Sequence, residues 1–242
     1  MVTQAVVLAG GRGTRLGSLT GVTPKPMLPI AHRPFLLYVL LNLKRYGIAR
    51  VIFATGYLGE QIHGYFRGGE LDAMQICFSF EETPMGTGGA LLLARKWLDK
   101  TFFVLNGDTL FDADLIDLAA LLKMHPSALG AIALRRADDV GRYGTVLLDG
   151  DLVTGFAEKQ RTGPGWINGG IYCLRRQALD CLPEGPCSIE QDAFPRLVER
   201  DSLVARPYDR YFIDIGLPET LAQAEKELPE WAKANDVQLG NL

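Results

Sequence analysis

The chain has 242 residues and a formal net charge of -3 at pH 7. This length suffices for one large α/β domain or two small ones, and the slightly acidic balance argues against nucleic acid as a partner, which usually contacts a basic face. No apolar run approaches the roughly 18 residues that a membrane span requires, so the sequence argues against a membrane as a partner.

The amino terminus and the cysteines predict a cytoplasmic protein. No basic residue precedes the apolar run 5–9, and this run is shorter than the roughly 7–15 apolar residues of a signal peptide. The four cysteines show no C-x-x-C spacing. We therefore expect free thiols in a reducing compartment.

The first half of the chain alternates strand patterns with helix patterns. Short apolar runs that end at glycine or polar residues predict strands, and longer stretches with an apolar face predict helices. Asp112 and Asp114 suit the start of the fourth helix, because acidic side chains are favourable near a helix N-terminus. The predicted strands are 4–9, 50–56, 74–82 and 101–108, and the predicted helices are 34–47, 58–69, 86–98 and 113–125.

The pattern changes after Ser127. Strand patterns now follow one another, and "DGD" within one of them predicts a tight turn. The last dozen residues predict a loose tail. The predicted strand segments are 128–136, 143–159 and 165–176, and the predicted helices are 188–199 and 217–228.

Together these elements predict an α/β fold with a Rossmann-like mixed, mostly parallel sheet flanked by helices and an antiparallel lobe. We predict a single domain over 1–242, with one lobe at 1–127, a second at 128–228 and a tail at 229–242. The sequence leaves self-association into a homo-oligomer open.

Polar clusters follow several predicted strands, at 10–15, 81–89 and 106–108. In open sheets of this kind, ligands bind outside the carboxyl ends of the strands. Loops from different parts of the sequence are therefore expected to converge on one site.

The stretch QAVVLAGGRGTRLG places glycines and two arginines directly after the first strand. It is not a dinucleotide fingerprint, because the third glycine would fall where Leu16 stands, and no G-K-[ST] follows as in a Walker A loop. Free backbone N–H groups at a strand end still suit phosphate. Arg12 and Arg15 add charge-assisted donors, and Lys25, between two prolines, adds one ammonium. This pattern predicts an anion-binding loop.

A longer run around this loop reads LAGGRGTRLGSLTGVTPKPMLPI, and it is followed by PMGTGGAL, LNGDTLFD, RYGTV, GFAEK, NGGIY and FIDIG. These motifs resemble those of the sugar-1-phosphate nucleotidyltransferases, the enzymes that make nucleotide sugars. They occur in the family's order and cover nearly all of residues 4–220. Within the family, the run most resembles the guanylyltransferases that act on D-glycero-α-D-manno-heptose 1-phosphate.

The resemblance implies an enzyme that transfers a nucleotidyl group, GMP favoured, from a nucleoside triphosphate to a sugar 1-phosphate, and releases pyrophosphate. Heptose 1-phosphate is the favoured acceptor, and the product would serve lipopolysaccharide or capsule synthesis. The alternatives are a mannose-1-phosphate guanylyltransferase, a UTP- or dTTP-dependent relative, and a non-catalytic nucleotide-sugar sensor. A nicotinamide-dependent oxidoreductase is disfavoured by the missing third glycine.

The implied chemistry brings an anion to an anion, so the site requires cations rather than a general base. The resemblance implies a Mg²⁺ cofactor held by Asp108 and Asp214. It further implies that Arg15 neutralises the β- and γ-phosphates and that Lys25 contacts the α-phosphate and the sugar phosphate. The implied catalytic residues are Arg15, Lys25 and Asp108.

The family pattern also implies two sets of binding residues. The sugar phosphate would contact Lys25, Gly144, Glu158, Lys159 and Asn168. The nucleotide would contact Leu8, Ala9, Gly10, Gly11, Arg12, Gly13, Thr14, Arg15, Glu81, Gly86, Gly88 and Asp108.

The base is predicted from the stretch FEETPMGTGG. Guanine presents two adjacent donors, and a carboxylate can accept both. Glu81 stands five residues before Gly86, where thymidylyl and uridylyl relatives commonly show glutamine. This favours guanine over uracil or thymine.

Overall fold

The computed structural model describes residues 1–68, 70–71, 73–141, 144–157 and 163–237. In this part of the chain the α-helices are α1 (Phe35–Arg45), α2 (Gly59–Tyr65), α3 (Gly86–Ala94), α4 (Leu115–Met124), α5 (Phe194–Val198) and α6 (Pro218–Ala234). The strands are β1 (Gln4–Ala9), β2 (Pro29–Ile30), β3 (Arg33–Pro34), β4 (Arg50–Thr55), β5 (Glu70–Leu71), β6 (Met74–Phe80), β7 (Thr101–Asn106), β8 (Thr109–Phe111), β9 (Gly130–Ala137), β10 (Thr145–Asp149), β11 (Leu152–Ala157), β12 (Gly165–Arg175), β13 (Leu203–Tyr208) and β14 (Phe212–Asp214).

The chain forms two compact units, each assembled from separate stretches. The first unit contains residues 3–84, 106–110 and the described residues from 212 onward. The second contains residues 1–2, 85–105 and the described residues of 111–211. The predicted lobe boundaries stay a prediction.

In the first unit, β1, β4 and β6 run parallel, and β5 adds an antiparallel edge. The register aligns Ala9 with Thr55 and Thr55 with Phe80. All three strands therefore end at the same edge, and the residues that follow them are neighbours. Helix α1 packs into this unit with every residue from Phe35 to Leu43 buried, and it ends at the basic Lys44 and Arg45, which suit a helix C-terminus.

In the second unit the strand order is β10, β11, β13, β9, β12, β7. Strand β12 pairs antiparallel with both β7 and β9, whereas β13 runs parallel to β9. The β12–β9 register shifts between Asn168 and Ile171. A Cβ atom at Gly169 would lie 2.5 Å from the ring of Phe111, so the two glycines of NGGIY allow a close-packed bulge.

The predicted fold class is confirmed, since helices accompany a mixed sheet with a parallel part and an antiparallel part. Asp114 is the N-cap of α4 and accepts from the backbone N–H groups of Ile116 and Asp117, both at 3.0 Å, as predicted. The four cysteines are free thiols. No helix in the described ranges is both long and apolar enough to cross a membrane, and the cytoplasmic location stays a prediction.

One prediction about the chain's last part was wrong, and one strand was missed. Strand β13 was not predicted, and the tail is not loose where it is described. Helix α6 continues to Ala234, and Trp231 within it is 6% exposed. The guanidinium of Arg45 lies 5.5 Å from the centre of the Trp231 ring and donates to Asn235 at 2.6 Å. Burial of Trp231 and its contact with Arg45 both stabilise this segment.

Candidate active site

The glycine loop after β1 folds back over Lys25. Gly13 has a φ of +63°, and a Cβ atom there would lie 3.0 Å from the Cβ of Lys25 and 3.1 Å from Cγ2 of Thr20. The Thr20 hydroxyl donates to the Gly13 carbonyl at 3.1 Å, which closes the loop. Glycine is therefore required at position 13 both by backbone conformation and by packing.

Lys25 lies between two aspartates of the first unit. It begins a single turn of 3-10 helix after Pro24, and its side chain is only 10% exposed. Its Nζ donates to Oδ2 of Asp108 at 2.6 Å and to Oδ1 of Asp214 at 3.3 Å. Three residues from distant parts of the sequence thus meet at one point.

Backbone contacts fix the two aspartates. The N–H of Gly107 donates to the Leu8 carbonyl at 2.8 Å, and a Cβ at this glycine would lie 2.8 Å from the same oxygen. The carbonyl of Asp108 accepts the N–H of Ile215 at 3.1 Å. These contacts tie the turn before β8 to the end of β1 and to the turn after β14.

Gly216 completes the close approach. Its N–H donates to Oδ1 of Asp214 at 2.7 Å. A Cβ atom at this position would lie 2.9 Å from that oxygen and 3.2 Å from the Nζ of Lys25. A larger residue would therefore push the carboxylate and the ammonium apart.

The aspartate pair has the donor set of a Mg²⁺ site. Mg²⁺ in phosphate-binding enzymes usually takes one or two carboxylates and fills its other positions with water and phosphate oxygens. The ammonium of Lys25 already marks a point where both carboxylates reach one cation. Their side chains are 36% and 43% exposed, so further ligands have access. In the described part of the chain no three His, Cys, Asp or Glu side chains form a larger metal-binding group, and the pair therefore fits Mg²⁺ shared with a ligand better than a closed structural site.

Glu81 lies at the same strand edge of the first unit, next to two glycines. Its N–H donates to the Thr55 carbonyl at 2.8 Å. A Cβ atom at either Gly10 or Gly56 would lie 2.5 Å from its Oε1. The carboxylate therefore rests on the bare backbone at the ends of β1 and β4, and the absence of side chains there makes room for it.

The two arginines of the loop have different surroundings. The guanidinium of Arg12 lies 5.6 Å from the centre of the Tyr57 ring, and the Tyr57 hydroxyl donates to Gly21 at 3.1 Å. Arg15 is exposed, and it forms no hydrogen bond or ion pair with any other residue that the structure describes. Its guanidinium is available for an anionic ligand.

The remaining residues predicted for the nucleotide lie at the end of β1, in the loop that follows it and at the start of α3. Leu8 and Ala9 end β1, whereas Gly11 and Thr14 are exposed in the loop. Gly86 and Gly88 begin α3 in the second unit. A Cβ at Gly86, whose φ is +70°, would lie 2.5 Å from the Cys187 carbonyl, and the N–H of Gly88 donates to that carbonyl at 2.9 Å.

The residues predicted for the sugar phosphate are only partly described. Gly144 has a φ of +78° and directly precedes β10. The amide of Asn168 donates to the Tyr172 hydroxyl at 2.9 Å and accepts the N–H of Gly170 at 2.8 Å. Glu158 and Lys159 lie outside the described residues, so their roles stay predictions.

The sequence reasoning missed three hydrogen-bonded residues, one of which, Tyr172, contacts the predicted Asn168. Thr87 and Tyr172 both donate to the carboxylate of Glu190, at 2.6 Å and 3.0 Å. A glutamate at the start of a helix pattern indicates favourable interaction with the helix dipole, so nothing in the local sequence pointed to another role. The single turn of π-helix at Ile189–Ala193 was not predicted either.

Comparison with known proteins adds to this geometry. Residues 4–230 match the family model described as Nucleotidyl transferase. The chain is 42% identical over 221 residues to the D-glycero-alpha-D-manno-heptose 1-phosphate guanylyltransferase of Campylobacter jejuni, covering 89% of this chain and 96% of the relative. The enzyme of the same description from Aneurinibacillus thermoaerophilus is 39% identical over 237 residues, with coverage of 94% and 99%. The crystal structure of HddC from Yersinia pseudotuberculosis complexed with GMP-PN is 33% identical and superposes with a TM-score of 0.79, covering 93% of this chain and 99% of that chain.

Proposed function

Because the chain belongs to the nucleotidyl transferase family, we propose that it transfers the guanylyl group of GTP to D-glycero-α-D-manno-heptose 1-phosphate. The products are GDP-heptose, a sugar donor for cell-surface polysaccharide, and pyrophosphate. The observation that carries the proposal is the meeting of Lys25 with Asp108 and Asp214 beside the glycine loop. Two relatives described by this reaction cover nearly the whole chain, which supports the choice of substrates.

The reaction needs positioning and charge rather than a base. An oxygen of the sugar phosphate attacks the α-phosphorus of GTP, and the bond from that phosphorus to the β-phosphate oxygen breaks, so pyrophosphate leaves with its electron pair. The attacking oxygen is already ionised at neutral pH. Stabilising the negative charge that gathers at the α-phosphate is therefore the main task of the protein.

Lys25 is suited to this task. Its ammonium is nearly buried and fixed by two carboxylates, and charge interactions are stronger where water is excluded. We assign it to the α-phosphate and the incoming sugar phosphate. Arg15, exposed on the same loop, is assigned to the β- and γ-phosphates, and the loop amides from Gly10 to Gly13 to the phosphate backbone.

Asp108 and Asp214 are the residues that would hold Mg²⁺. When bound, the ion supplies Lewis acidity to a phosphoryl oxygen and neutralises part of the triphosphate charge. The two carboxylates would determine the position of the ion, because both are held through backbone contacts at Gly107 and Gly216.

Glu81 is the proposed reader of guanine. Its two acceptor oxygens match the N1–H and 2-amino donors of the base. The carboxylate lies where the chain leaves β1 and β4, the edge at which ligands bind in such sheets.

Gly56→Ala tests this assignment through packing. The added Cβ would lie 2.5 Å from Oε1 and 2.7 Å from Cγ of Glu81, so the carboxylate has to move. A hydrogen bond to a charged group contributes about 1.5–3 kcal/mol, so we expect kcat/KM for GTP to fall about 10- to 100-fold. Steady-state kinetics at saturating acceptor would measure it.

Gly64→Ala is the matched control, because an added Cβ on this residue of α2 meets no atom within 4 Å. It is expected to keep the wild-type kcat/KM. Equal values for Gly56→Ala and Gly64→Ala would remove Glu81 from base recognition.

For the sugar phosphate we propose Asn168 and Gly144, together with Glu158 and Lys159. The role of Asn168 is supported by the fixed orientation of its amide. The backbone N–H of Gly170 can only donate, so the amide atom that it contacts must be the Asn168 oxygen. The other three rest on the family resemblance.

Pyrophosphate release with Mg²⁺ tests the whole proposal. GTP would be paired with heptose 1-phosphate or with mannose 1-phosphate, and UTP and dTTP would be run in parallel. We expect turnover with GTP and heptose phosphate. Turnover with mannose phosphate alone would establish the mannose alternative, and turnover with UTP or dTTP alone would overturn the role of Glu81. Failure of every pair would leave a nucleotide-sugar sensor as the better explanation.

A further inference from the structure

The carboxylate of Glu190 is the centre of a hydrogen-bond network in the second unit. Its Oε1 accepts from the Tyr172 hydroxyl at 3.0 Å. Its Oε2 accepts from Thr87 at 2.6 Å and from Ser188 at 2.8 Å. In the described part of the chain this charge is met by hydroxyl groups rather than by a cation. The donor and acceptor roles in this network are therefore fixed, because a carboxylate only accepts and each hydroxyl must donate to it.

One arm of the network leads to Asn168. Tyr172 is 1% exposed, and its hydroxyl donates to Glu190 while it accepts from the Asn168 amide at 2.9 Å. The N–H of Gly170 holds the oxygen of that amide at 2.8 Å. The orientation of the Asn168 side chain is therefore set at both ends, and Glu190 determines one of them.

The other arm leads to the glycine segment 85–89. The Thr87 hydroxyl donates to Glu190 and accepts the N–H of Ile189 at 3.0 Å. Beside it, the N–H of Gly88 donates to the Cys187 carbonyl, and the N–H of Cys187 donates to the Met85 carbonyl, each at 2.9 Å. The segment is thus attached to residues 187–190, with Thr87 as its side-chain link to the carboxylate.

We propose that Glu190 is a positioning residue that fixes the nucleotide-binding glycine segment with one oxygen and the sugar-binding Asn168 with the other. This inference rests on the proposed function, which assigns Asn168 to the sugar, and on the family resemblance, which implies that Gly86 and Gly88 contact the nucleotide. Glu190 itself need not touch either substrate. Its removal should impair the binding of both substrates, whereas cutting one arm should impair one.

Three conservative variants separate the arms. Tyr172→Phe removes the hydroxyl that joins Asn168 to Glu190, and Thr87→Val removes the hydroxyl that joins the glycine segment to it. Glu190→Gln keeps the shape but turns one acceptor oxygen into a donor, which no longer suits the hydroxyl groups that point at it. Glu199→Gln, at the exposed end of α5, is the matched control.

The readout is the KM of each substrate with the other saturating, measured with the pair that the wild type turns over. We expect Tyr172→Phe to raise KM for the sugar phosphate alone and Thr87→Val to raise KM for the nucleotide alone. Glu190→Gln is expected to raise both about tenfold, with kcat within about threefold of the control. Adding Tyr172→Phe to Glu190→Gln should change KM for the sugar phosphate little further, since both act through one contact.

A purely structural role predicts a different result. Glu190→Gln would then lower the fraction of active protein or its Tm and leave both KM values at those of Glu199→Gln, which would overturn the proposal. A rise in both KM values for Tyr172→Phe alone would overturn the separation of the arms.

Amide hydrogen exchange keeps the inference testable apart from turnover. Lack of turnover by the wild type with every substrate pair would contradict the proposed function. The Gly88 and Gly89 amides, which donate to Cys187, would still be expected to exchange faster in Glu190→Gln and Thr87→Val than in Glu199→Gln. Equal exchange in all three would show that Glu190 does not hold the segment.

Discussion

Replacing Lys25 with methionine is expected to lower kcat by about 10²- to 10³-fold, the loss typical of removing one preorganised electrostatic stabiliser. Methionine keeps an unbranched apolar stem, which suits a side chain that is only 10% exposed, but it removes the ammonium that we assign to the reacting phosphates. Pyrophosphate release at saturating substrates would measure the loss. Lys123→Met, the same exchange at an exposed lysine of α4, is expected to leave kcat unchanged.

The same Lys25→Met variant should bind a divalent metal ion more tightly, although its kcat is lower. In the free protein the Lys25 ammonium occupies the point that the two carboxylates share, 2.6 Å from one and 3.3 Å from the other. Two unit charges at about 4 Å interact by roughly 4 kcal/mol near a protein surface, so even a screened fraction of this opposes a second cation. Lys25→Met should therefore bind Mn²⁺, used in place of Mg²⁺, about tenfold more tightly without nucleotide. Unchanged affinity in a calorimetric titration would contradict competition for this point.

The local sequence could predict which loops of the site follow the ends of parallel strands. Glycine-rich turns at the ends of parallel strands meet at one sheet edge, because parallel strands in register end together. This explains why Gly10 and Glu81 were both predicted and why they lie together at the ends of β1 and β6.

The meeting of Lys25 with its two aspartates could not be derived from spacing. The contacts join residues 83 and 189 positions apart, and neither helical nor strand periodicity extends over such distances. Each aspartate alone has the context of a turn residue, and it was the family resemblance that paired them. The Glu190 network was missed for the same reason, since its partners Thr87 and Tyr172 lie 103 and 18 residues away.

The sequence analysis ended the last helix too early and missed β13. In both places tertiary packing outweighs the local preference of a proline. The predicted helix 217–228 stops just before Pro229, and proline is disfavoured inside helices and in central strands. Helix α6 nevertheless contains Pro229 and continues, since Trp231 beyond it is buried. Strand β13 contains Pro207, three residues after Val204, where β13 pairs with β11.

Asp108→Asn is expected to reduce kcat by about 10³-fold and to shift the Mg²⁺ dependence of turnover to higher concentrations, because a metal ion at such a site contributes several kcal/mol to the transition state. Asparagine keeps the shape, and the side chain is 36% exposed, so the fold should tolerate the change. A Mg²⁺ titration of pyrophosphate release would measure it. Asp114→Asn is the matched control, since asparagine caps a helix as well as aspartate does and Asp114 caps α4.

The sign of the effect on metal affinity separates a metal site from general damage. Asp108→Asn removes a negative charge, so Mn²⁺ should bind more weakly than to the wild type, whereas Lys25→Met removes a positive charge and should bind it more tightly. Damage to the loop would weaken binding in both variants, because both side chains belong to one cluster. Opposite shifts would place the ion at the Asp108–Asp214 pair, and an unchanged Mg²⁺ titration for Asp108→Asn would place it elsewhere.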